Sequence, residues 1–513
     1  MLNWFKSLAF KQKHREKRIT RNAAIVDDKN ALDNTHPRHR QGGQKNRASH
    51  RERLSPKEKA RHLASAVIVP RGEHGVSRKQ IDTHALKVLY RLHNAGYQAC
   101  LVGGAVRDLL LGKTPKDFDV ATDATPEEVA ALFRNCRLIG RRFRLAHVHF
   151  GRQIIEVATY RADHGHSQSG SLDESGRIVR DNVYGNICED VMRRDFTANA
   201  LYYDIANFSI IDFVGGLDDV RAGRLSMIGD AETRYREDPV RMLRAVRFAA
   251  KLDFTIEDHS RQPIYELGPL LADIPPARLY EEALKMFHSG HALKSFEALV
   301  EYDLLRYLFP AADAAIKEDA QFLQLLKLAM ANTDERIRKD LRVTPAFLFA
   351  ALLWAPVAKR ADEITHKGMP YSVAIQKAAT AVMSEQVKSI SIPRRFTSTM
   401  RDIWGLQTRF HYRKGRRAQA VLEHPKFRAA YDFLCLRAQA GEDVAEACEW
   451  WTDFQQLPEN QGRAGSGQDE AGERSRQRGK SGGRENDGED EQAAPRKKRR
   501  RPRRRRSKKA TKE

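Results

Sequence analysis

The spacing of apolar residues predicts that ordered structure begins near Lys79 with an amphipathic helix. Apolar positions then recur at helical spacing up to Gly96, namely Ile81, Ala85, Val88, Leu89 and Leu92. The short apolar run "ACLV" that follows is typical of a buried strand. The first 75 residues are polar and show no sustained period, so we expect most of them to be disordered.

Residues 101–160 show the pattern of a strand, a helix, a strand, a helix and a hairpin. In "DVATDATPEEV", Thr125 is the predicted N-cap of a helix and Pro126 its first residue, followed by two glutamates in the first turn. The β-rich runs "RLAHVHF" and "QIIEVATY" are separated by Gly151-Arg152, a turn of hairpin length. The pattern predicts a mixed sheet of about four or five strands.

Helical periodicity dominates the remainder of the chain. Residues 162–188 are polar and form a predicted loop, and a β-like stretch, "FSIIDFV", interrupts the helical pattern beyond Glu189. Residues 276–455 repeat amphipathic helices such as "LYEEALKMF" and "PAFLFAALLWAPV". We therefore expect an α+β fold, in which a small mixed-sheet domain precedes an all-helical region.

A chain of 513 residues is long enough for several domains. The pattern divides it into a basic, mostly disordered extension (1–78), a sheet domain (79–204), a neck (205–275), a helical body (276–457) and a tail rich in Arg and Lys (458–513). The tail is rich in Gly, Ser, Gln, Glu and Arg, which cannot build an apolar core, so we expect it to be disordered.

The positive charge of the chain is concentrated at its two ends. The formal net charge is +23, and residues 1–75 contain 18 Lys and Arg against 7 Asp and Glu, while residues 458–513 contain 19 against 10. The run "RKKRRRPRRRRSKK" holds twelve cations in fourteen residues, a density that repels itself unless a polyanion is nearby. Nucleic acid is the favoured polyanion, with an anionic membrane surface as the alternative and a merely solvated tail as the simplest explanation.

The cysteine spacing argues against a zinc or disulfide-stabilised protein, and the hydropathy argues against a membrane-spanning one. Five cysteines occur without C-x-x-C spacing, which indicates neither a zinc site nor a disulfide framework and fits a reducing cytoplasm. No apolar run approaches the roughly 20 residues of a membrane span. We therefore expect a cytoplasmic protein without a transmembrane segment.

A double glycine stands where a strand is predicted to meet a helix. In "LVGGAVRDLLLG", Gly103 and Gly104 follow an apolar strand and open a helix, whose free backbone N–H groups and positive end favour a bound phosphate. Close packing of a strand on a helix is the alternative, and the commoner, explanation of such a pair.

Two aspartates on the next predicted strand are candidate metal ligands. Asp117 and Asp119 flank Phe118, and strand alternation sends both carboxylates to one face of the sheet. Two acids on one face repel each other unless a cation lies between them, and Mg²⁺ prefers carboxylate and phosphate oxygens. Glu156, an acid within the apolar run "IIEVATY", is the candidate third ligand. A solvated turn is the alternative for a D-x-D sequence.

Two downstream segments add polar side chains. In "RRDFTANAL", a helix would place Asp195 and Asn199 on one face with Arg194 beside them, which suits a ribose and a triphosphate. The alternative for this segment is an exposed helix start.

In "EDPVRMLRAVRFAAKL", Asp238 is the predicted N-cap and Pro239 the first residue of a helix, on which Arg241 and Arg244 share one face. An arginine fork can bind a base edge or a phosphate, although a solvated arginine face is also compatible with this spacing.

Taken in order, these segments resemble the nucleotidyltransferase superfamily of DNA polymerase β type, and more closely its bacterial branch of tRNA CCA-adding enzymes and poly(A) polymerases. The resemblance covers residues 80–455 and rests on "LVGGAVRDLLLG", "KDFDVATDATPEEV", "IEVATYR", "RRDFTANAL" and "EDPVRMLRAVRFAAKL". It implies that the sheet domain is a nucleotidyltransferase head.

The resemblance also implies roles for individual residues. Asp117 and Asp119 would be catalytic metal ligands, with Asp195 close to the active centre. The remaining positions would bind the nucleotide: Gly103, Gly104 and Arg107 hold the triphosphate, Arg194 and Asn199 orient the nucleotide, and Glu237, Asp238, Arg241 and Arg244 belong to the base-recognition segment. Mg²⁺, with Mn²⁺ as the alternative, would be the metal and ATP the substrate.

The segment "LIGRRFRLAHVHF" resembles the one that marks the poly(A) polymerase branch. A basic tail also fits an enzyme that accepts any RNA 3′ end, because phosphate contacts carry no sequence information. We expect a template-independent polynucleotide adenylyltransferase that adds AMP from ATP to RNA 3′ ends, with RNA-decay proteins as partners. The alternatives are a CCA-adding tRNA nucleotidyltransferase and a non-catalytic RNA-binding protein.

Overall fold

The computed structural model describes residues 63–140, 144–162, 183–458 and 460. Three regions predicted from the sequence to be disordered or to form a loop lie wholly or mostly outside these residues: the N-terminal extension up to residue 62, the polar loop at 163–182 and the basic tail after residue 458. Within the described parts, a mixed sheet is followed by a long helical region, which confirms the predicted α+β fold class.

The sheet has eight strands in the described residues. They are β1 (Val67–Val69), β2 (Ala99–Val102), β3 (Asp119–Thr122), β4 (Cys136–Ile139), β5 (Leu145–Phe150), β6 (Gln153–Thr159), β7 (Tyr202–Asp204) and β8 (Ile210–Asp212). The strand order is β1-β8-β7-β2-β3-β6-β5-β4. The β3–β6 pair is parallel, and the other neighbours are antiparallel.

This sheet is larger than the four or five strands predicted from the sequence, and it begins at Val67, before Lys79. Strands β1, β7 and β8 contain three residues each, too few to show a reliable alternation of apolar and polar positions. They are defined by pairing with distant segments, such as Ile68 with Ile211. The hairpin of β5 and β6 at Gly151-Arg152 is confirmed.

Helices surround the sheet and continue beyond it. In the first half of the chain they are α1 (Arg71–His74), α2 (Thr83–Asn94), α3 (Gly104–Leu110), α4 (Pro126–Leu132), α5 (Ile187–Met192), α6 (Gly216–Ala222), α7 (Ala231–Glu237), α8 (Val240–Leu252) and α9 (Asp258–Leu267). Short 3₁₀ turns lie at Arg78–Gln80, Thr197–Asn199 and Gly268–Asp273, and β9 (Arg224–Leu225) pairs in parallel with β10 (Thr255–Ile256).

The second half is helical throughout the described residues. Its helices are α10 (Pro276–Phe287), α11 (Ala292–Glu301), α12 (Leu305–Leu308), α13 (Pro310–Glu318), α14 (Ala320–Arg338), α15 (Pro345–Leu352), α16 (Trp354–Thr365), α17 (Tyr371–Gln386), α18 (Arg394–Gln407), α19 (Gly415–Leu422), α20 (Phe427–Gln439) and α21 (Ala445–Gln456). One apolar core runs from the sheet into these helices, and a second forms around Trp451.

Side-chain alternation gives the sheet two buried faces. Leu101 and Val120 belong to the main core, whereas their neighbours Cys100 and Ala121 belong to a smaller core that includes Tyr202 and α5. Asp119 lies two residues before Ala121 on β3 and therefore shares the face of this smaller core. The acid is thus directed to the side of the sheet that α5 covers.

One disulfide joins the last two helices. Cys435 of α20 and Cys448 of α21 are bonded, with Cα atoms 5.3 Å apart, and the other three cysteines are free. Sequence analysis did not predict this bond, because packing of the two helices, and not a spacing motif, brings the residues together. No helix in the described part of the chain is long and apolar enough to span a bilayer.

The predicted start of α4 is confirmed as a capping box. Thr125 Oγ1 accepts a hydrogen bond from the Glu128 backbone N–H at 3.3 Å, and Glu128 Oε2 accepts one from the Thr125 backbone N–H at 2.8 Å. Pro126 occupies the first helical position. Both exchanged bonds satisfy donors that a helix start would otherwise leave unpaired.

Replacing Thr125 with Ala removes one of these bonds and is expected to lower the free energy of unfolding by about 1 kcal/mol. Denaturant titration followed by circular dichroism measures the change. Thr125→Ser keeps the acceptor oxygen and is the control, with stability close to that of the unchanged protein. An equal loss in both variants would contradict the capping role.

Candidate active site

Strand register brings three sequence-predicted residues to one edge of the sheet. Val102 pairs with Asp119 across β2 and β3, so Gly103, the next residue, lies beside Asp119. In the parallel pair of β3 and β6, Val120 pairs with Val157, which places Glu156 beside Asp119 on the other side. The glycine turn and two carboxylates therefore lie on three adjacent strands.

The glycine turn lies directly against two arginine side chains. Gly103 has φ 68°, a left-handed conformation that favours glycine, and a Cβ there would lie 3.3 Å from Arg194 Nη1. A Cβ at Gly104 would lie 3.4 Å from Arg107 Nη2. Two guanidinium groups thus lie directly against the bare backbone at the start of α3. The turn combines backbone N–H groups with two fixed positive charges, which suits an anion.

Hydrogen bonds fix the first of these guanidinium groups. Arg107 is 2 % exposed and donates from Nε and Nη2 to Asp108 Oδ1, at 3.0 and 2.6 Å. Its Nη1 donates to Asn199 Oδ1, which joins α3 to the 3₁₀ turn before β7. Asn199 therefore contacts the triphosphate candidate Arg107 directly.

The second guanidinium group belongs to a buried network. Arg194 donates to Tyr202 Oη at 2.7 Å and to Asp190 Oδ2 at 3.1 Å, and Tyr202 donates to the same Asp190 oxygen at 2.5 Å. Burial opposes the charge of Arg194, but Tyr202 and Asp190 outweigh it and raise the pKa of the guanidinium. Arg194 is therefore a permanent cation beside the glycine turn.

The acidic residues carry uncompensated negative charge. Asp119 is accessible to solvent at the edge of the sheet, yet partial burial, together with the charges of Glu156 and Asp117, raises the pKa of its carboxyl from 3.8 to about 6. Arg194 acts in the opposite direction and lowers that pKa. A site with such mutual repulsion between carboxylates favours a bound cation.

The acids also differ from the sequence prediction in two details. Strand β3 begins at Asp119, so Asp117 precedes the strand, because pairing with β2 starts only at the Asp119–Val102 pair. Glu156 Oε1 lies 3.5 Å from Nε2 of His147, its cross-strand partner on β5. Among the described residues, no group of three or more His, Cys, Asp or Glu side chains is arranged to hold a metal ion.

Asp195 connects the sheet to helix α8. Its Oδ1 lies 3.1 Å from Arg241 Nε and its Oδ2 lies 2.5 Å from Arg244 Nη2. The shared face predicted for the two arginines is confirmed, since both reach the same carboxylate. Asp195 thus binds Arg241 and Arg244, whereas Asn199 binds Arg107, so Asp195 and Asn199 do not form one polar face.

The helix predicted across "RRDFTANAL" is wrong. Helix α5 ends at Met192, and only a 3₁₀ turn, Thr197–Asn199, follows. Backbone bonds to a neighbouring segment replace the helical ones: Thr197 N–H donates to the Ser226 carbonyl, and Ile228 N–H donates to the Asp195 carbonyl, each at 3.0 Å. This strand-like pairing competes with helix formation, so the helical spacing of the side chains predicted the wrong structure.

The base-recognition candidates extend this ion-pair network. Arg241 Nη1 donates to Glu237 Oε2 at 2.8 Å, and Arg234 Nη1 donates to the same oxygen at 3.0 Å. Asp238 is instead paired with Arg278 of α10 at 2.5 Å. It lies one residue before the N-cap Pro239, although its Oδ1 does accept the Val240 N–H at 3.2 Å, as a cap would.

Phe248 of α8 contacts three arginines, two of which, Arg107 and Arg244, are candidate site residues. The guanidinium carbons of Arg107 and Arg244 lie 5.8 Å from its ring centroid and that of Arg247 lies at 4.4 Å. Phe196 contacts the ring edge to face at 5.7 Å. Attraction between a cation and a ring face contributes about 0.5 to 2 kcal/mol per contact. The ring therefore holds arginines from α3 and α8 in fixed relative positions.

Sequence analysis missed Asp190, Arg234, Arg278 and Phe248. Asp190 and Arg194 stand at i and i+4, a spacing that could have indicated a pair on one helix face. Neither Arg278 nor Phe248 carried a comparable signal, because their partners come from segments distant along the chain.

Three family models match the chain. They are the "Poly A polymerase head domain" at residues 99–226, the "Probable RNA and SrmB- binding site of polymerase A" at 253–316 and the "Polymerase A arginine-rich C-terminus" at 367–507. The first covers the glycine turn, the carboxylates and Asp195, and the third extends into the basic tail.

Individual proteins show the same relationship. A Poly(A) polymerase I from Salmonella typhimurium is 52% identical over 397 residues, which cover 76% of this chain and 85% of that protein. A CCA-adding enzyme from Lactobacillus helveticus is 33% identical over 270 residues, which cover 50% of this chain and 66% of that protein. The CCA-adding enzymes are therefore the more distant relatives.

Solved structures support the fold. The structure titled "Thermotoga maritima CCA-adding enzyme complexed with tRNA_CCA" matches with a TM-score of 0.51 at 21% identity, over 76% of this chain and 85% of that one. At this identity the match supports the fold alone. The identity and the coverage of the poly(A) polymerase relatives show that the chain belongs to the bacterial poly(A) polymerase family, as the sequence motifs indicated.

Proposed function

We propose that this protein, a polynucleotide adenylyltransferase by its family, adds AMP from ATP to RNA 3′ ends without a template and releases pyrophosphate. The observation that carries the proposal is the sheet edge where Asp119 and Glu156 lie beside the arginine-flanked turn at Gly103. A carboxylate pair next to an anion-binding turn suits phosphoryl transfer, in which catalysis consists of positioning and charge stabilisation.

Although their side chains are not arranged as a preformed metal site, Asp117, Asp119 and Glu156 lie close enough for their charges to interact and would together hold Mg²⁺, with Mn²⁺ as the alternative. Hard oxygen donors suit either ion. Burial raises the pKa of Asp119, and the negative charges of Glu156 and Asp117 raise it further, a repulsion that a bound cation would relieve. A divalent ion bound there supplies charge neutralisation at the transferring phosphoryl group. His147, 3.5 Å from Glu156, would then orient that carboxylate.

The guanidinium groups on the other side of the site would hold the nucleotide. Arg107 and Arg194 lie against Gly103 and Gly104, so a triphosphate at the turn would contact backbone N–H groups and two cations. Asn199 keeps Arg107 in place through its side-chain amide oxygen. The triphosphate would therefore lie at the turn and the reacting phosphorus towards the carboxylates.

The base would be recognised by the face of α8 and the end of α7. Asp195 positions Arg241 and Arg244, and Glu237 holds Arg241 from the opposite side. Guanidinium groups fixed in this way present planar donors to a base edge. Asp238, held by Arg278, would position the start of α8 and not contact the base.

RNA-decay proteins as partners and a cytoplasmic location are further parts of the proposal. The basic tail supports an RNA substrate of unspecific sequence, since contacts to phosphates do not depend on sequence. The division into head (79–204), neck (205–275), body (276–457) and tail (458–513) remains part of the proposal, since each of the matches at 99–226, 253–316 and 367–507 extends across one of its boundaries.

The identity of the added nucleotide tests the proposed function. Purified protein is incubated with ATP or CTP, on oligo(A) and on tRNA that lacks its CCA end. We expect AMP to be added repeatedly to oligo(A), with little incorporation from CTP. Dominant CTP incorporation on truncated tRNA would favour the CCA-adding alternative.

Asp119→Ala tests the catalytic carboxylate. We expect AMP addition to fall by more than roughly 100-fold, because loss of groups that merely support metal ligands already costs 10- to 100-fold. Asp218→Ala is the control, since Asp218 is exposed in a surface pair with Arg221. Full AMP addition by Asp119→Ala would show that Asp119 is not a catalytic carboxylate, whereas no AMP addition by the unchanged protein would favour a non-catalytic RNA-binding protein.

Phe248→Leu tests whether the ring positions the arginines. We expect the KM for ATP to rise by about tenfold, equivalent to about 1.4 kcal/mol, while Phe248→Tyr retains the wild-type value. Phe296→Leu, a change at a buried ring of α11, is the control for general loss of stability. An equal rise in KM for Phe296→Leu would show that Phe248 acts only through packing.

A further inference from the structure

Four lysines form a cluster beside the proposed catalytic edge, and we call them the lysine patch: Lys113, Lys116, Lys251 and Lys294. Lys113 and Lys116 lie in the segment between α3 and β3, Lys251 in the last turn of α8, and Lys294 in the first turn of α11. Lys113, Lys116 and Lys294 are exposed, and Lys251 is half-buried. The patch therefore draws on three elements that are distant along the chain.

Direct contacts bring these elements together. Arg107 of α3 and Arg247 of α8 share the ring of Phe248, which places α3 against α8. The Lys113 N–H donates to the Asp108 carbonyl at 2.8 Å and so fixes the start of the following segment on α3. Lys294 Nζ lies 2.6 Å from the exposed Asp253, the residue that ends α8.

The charge around these lysines is unbalanced. Burial lowers the pKa of Lys251, and the nearby cations Arg107, Arg247 and Lys116 lower it further, against the opposing effect of Asp108. Burial also lowers the pKa of His291, where Lys251, Lys113 and Lys294 all act against Asp334. Among the described residues, Lys113, Lys116 and Lys251 have no carboxylate oxygen within 4.0 Å. Cations therefore outnumber acids here, and an anionic ligand would relieve the repulsion.

Three other lysines of the helical region have carboxylate partners, as Lys294 does. Lys327 lies 3.1 Å from Glu297, Lys339 lies 2.5 Å from Glu335 and Lys359 lies 2.9 Å from Glu318. These pairs contain no residue of the lysine patch. In each of them a carboxylate balances the charge of the lysine.

The position of the lysine patch indicates which phosphates it meets. Lys116 directly precedes Asp117, and Arg107 contacts the glycine turn, so the patch is continuous with the proposed catalytic edge. We propose that the lysine patch binds the backbone phosphates of the RNA strand just upstream of its 3′ end, which rests on the proposed function. Flexible ammonium groups contact phosphates of any sequence, whereas the two fixed guanidinium groups at the turn suit the triphosphate.

The lysine patch adds to the region matched as a probable RNA-binding site. That match spans residues 253–316 and includes only Lys294 of the four lysines. The proposal therefore assigns RNA contacts to the sheet domain and to the end of α8 as well. It predicts that the strand crosses from α11 to the segment before β3 on its way to the carboxylates.

The test neutralises three lysines together, as Lys113→Gln, Lys251→Gln and Lys294→Gln in the full chain. Lys116 is left unchanged because it adjoins Asp117. Binding of fluorescent oligo(A) is measured by anisotropy across a range of salt concentrations, and KM values are measured for oligo(A) and for ATP. The control neutralises three lysines outside the patch, as Lys327→Gln, Lys339→Gln and Lys359→Gln, which makes the same change in net charge.

We expect the patch variant to raise the Kd and the KM for oligo(A) by at least about tenfold and to reduce the slope of log Kd against log salt by roughly 2, since each phosphate contact on a single strand contributes about 0.7. The KM for ATP and the kcat at saturating RNA should stay unchanged. The control variant should bind oligo(A) like the unchanged protein.

Three results would overturn the proposal. An unchanged salt slope would show that the lysines make no phosphate contacts, and an equal loss in the control variant would show a general charge effect. A raised KM for ATP with unchanged oligo(A) binding would assign the patch to the nucleotide triphosphate. Should the triple variant fail to fold, the two exposed changes, Lys113→Gln and Lys294→Gln, give the same comparison with a smaller expected slope change.

The anisotropy measurement also separates this proposal from the proposed function. Oligo(A) binding needs no catalysis, so the salt slope tests the lysine patch even if the unchanged protein added no AMP. Conversely, the unchanged protein could add AMP while the patch variant binds oligo(A) normally. That result would support the proposed function and show that the lysine patch does not bind the RNA.

Discussion

The ion pairs of Asp195 with Arg241 and Arg244 are the interaction on which the arrangement of the site depends. Asp195 belongs to the segment that leads into β7, whereas both arginines belong to α8, a helix further along the chain. The side chain of Asp195 is 18 % exposed and that of Arg241 is 13 % exposed, so each charge needs the other to compensate its loss of water. The sheet and α8 are therefore tied together by charge as well as by their common core.

This connection sets the geometry of everything that surrounds it. Helix α8 also carries Phe248, whose ring holds Arg107 of α3, and α3 begins at the glycine turn. A shift of α8 would therefore move the arginines at the turn as well as those near the base. The guanidinium groups of Arg107 and Arg194 lie against the glycine turn and the carboxylates of Asp119 and Glu156 lie beside it, so the site presents charges of both signs.

Sequence analysis succeeded where a local signal decides the structure. The capping box at Thr125 and the hairpin at Gly151-Arg152 depend on residues within a few positions of each other, and both were predicted correctly. The motifs also selected Gly103, Asp119 and Glu156, which the strand register brings together. The strand register could not be predicted, because no local sequence signal indicates that β3 pairs in parallel with β6 and brings Glu156 beside Asp119. The same limit produced the wrong helix at Asp195, where backbone bonds to residues 226–228 override helical spacing.

The parallel pair of β3 and β6 has a consequence for how the chain folds. Asp119 and Glu156 become neighbours only after α4, β4 and the hairpin of β5 and β6 have folded back onto β3. Pairings of this kind close long loops and form slowly compared with local hairpins and helices. A partly folded chain can already contain the hairpin and the glycine turn, yet it keeps the acids apart. The two acids therefore come together only with the completed sheet, so a partly folded chain lacks the proposed metal site.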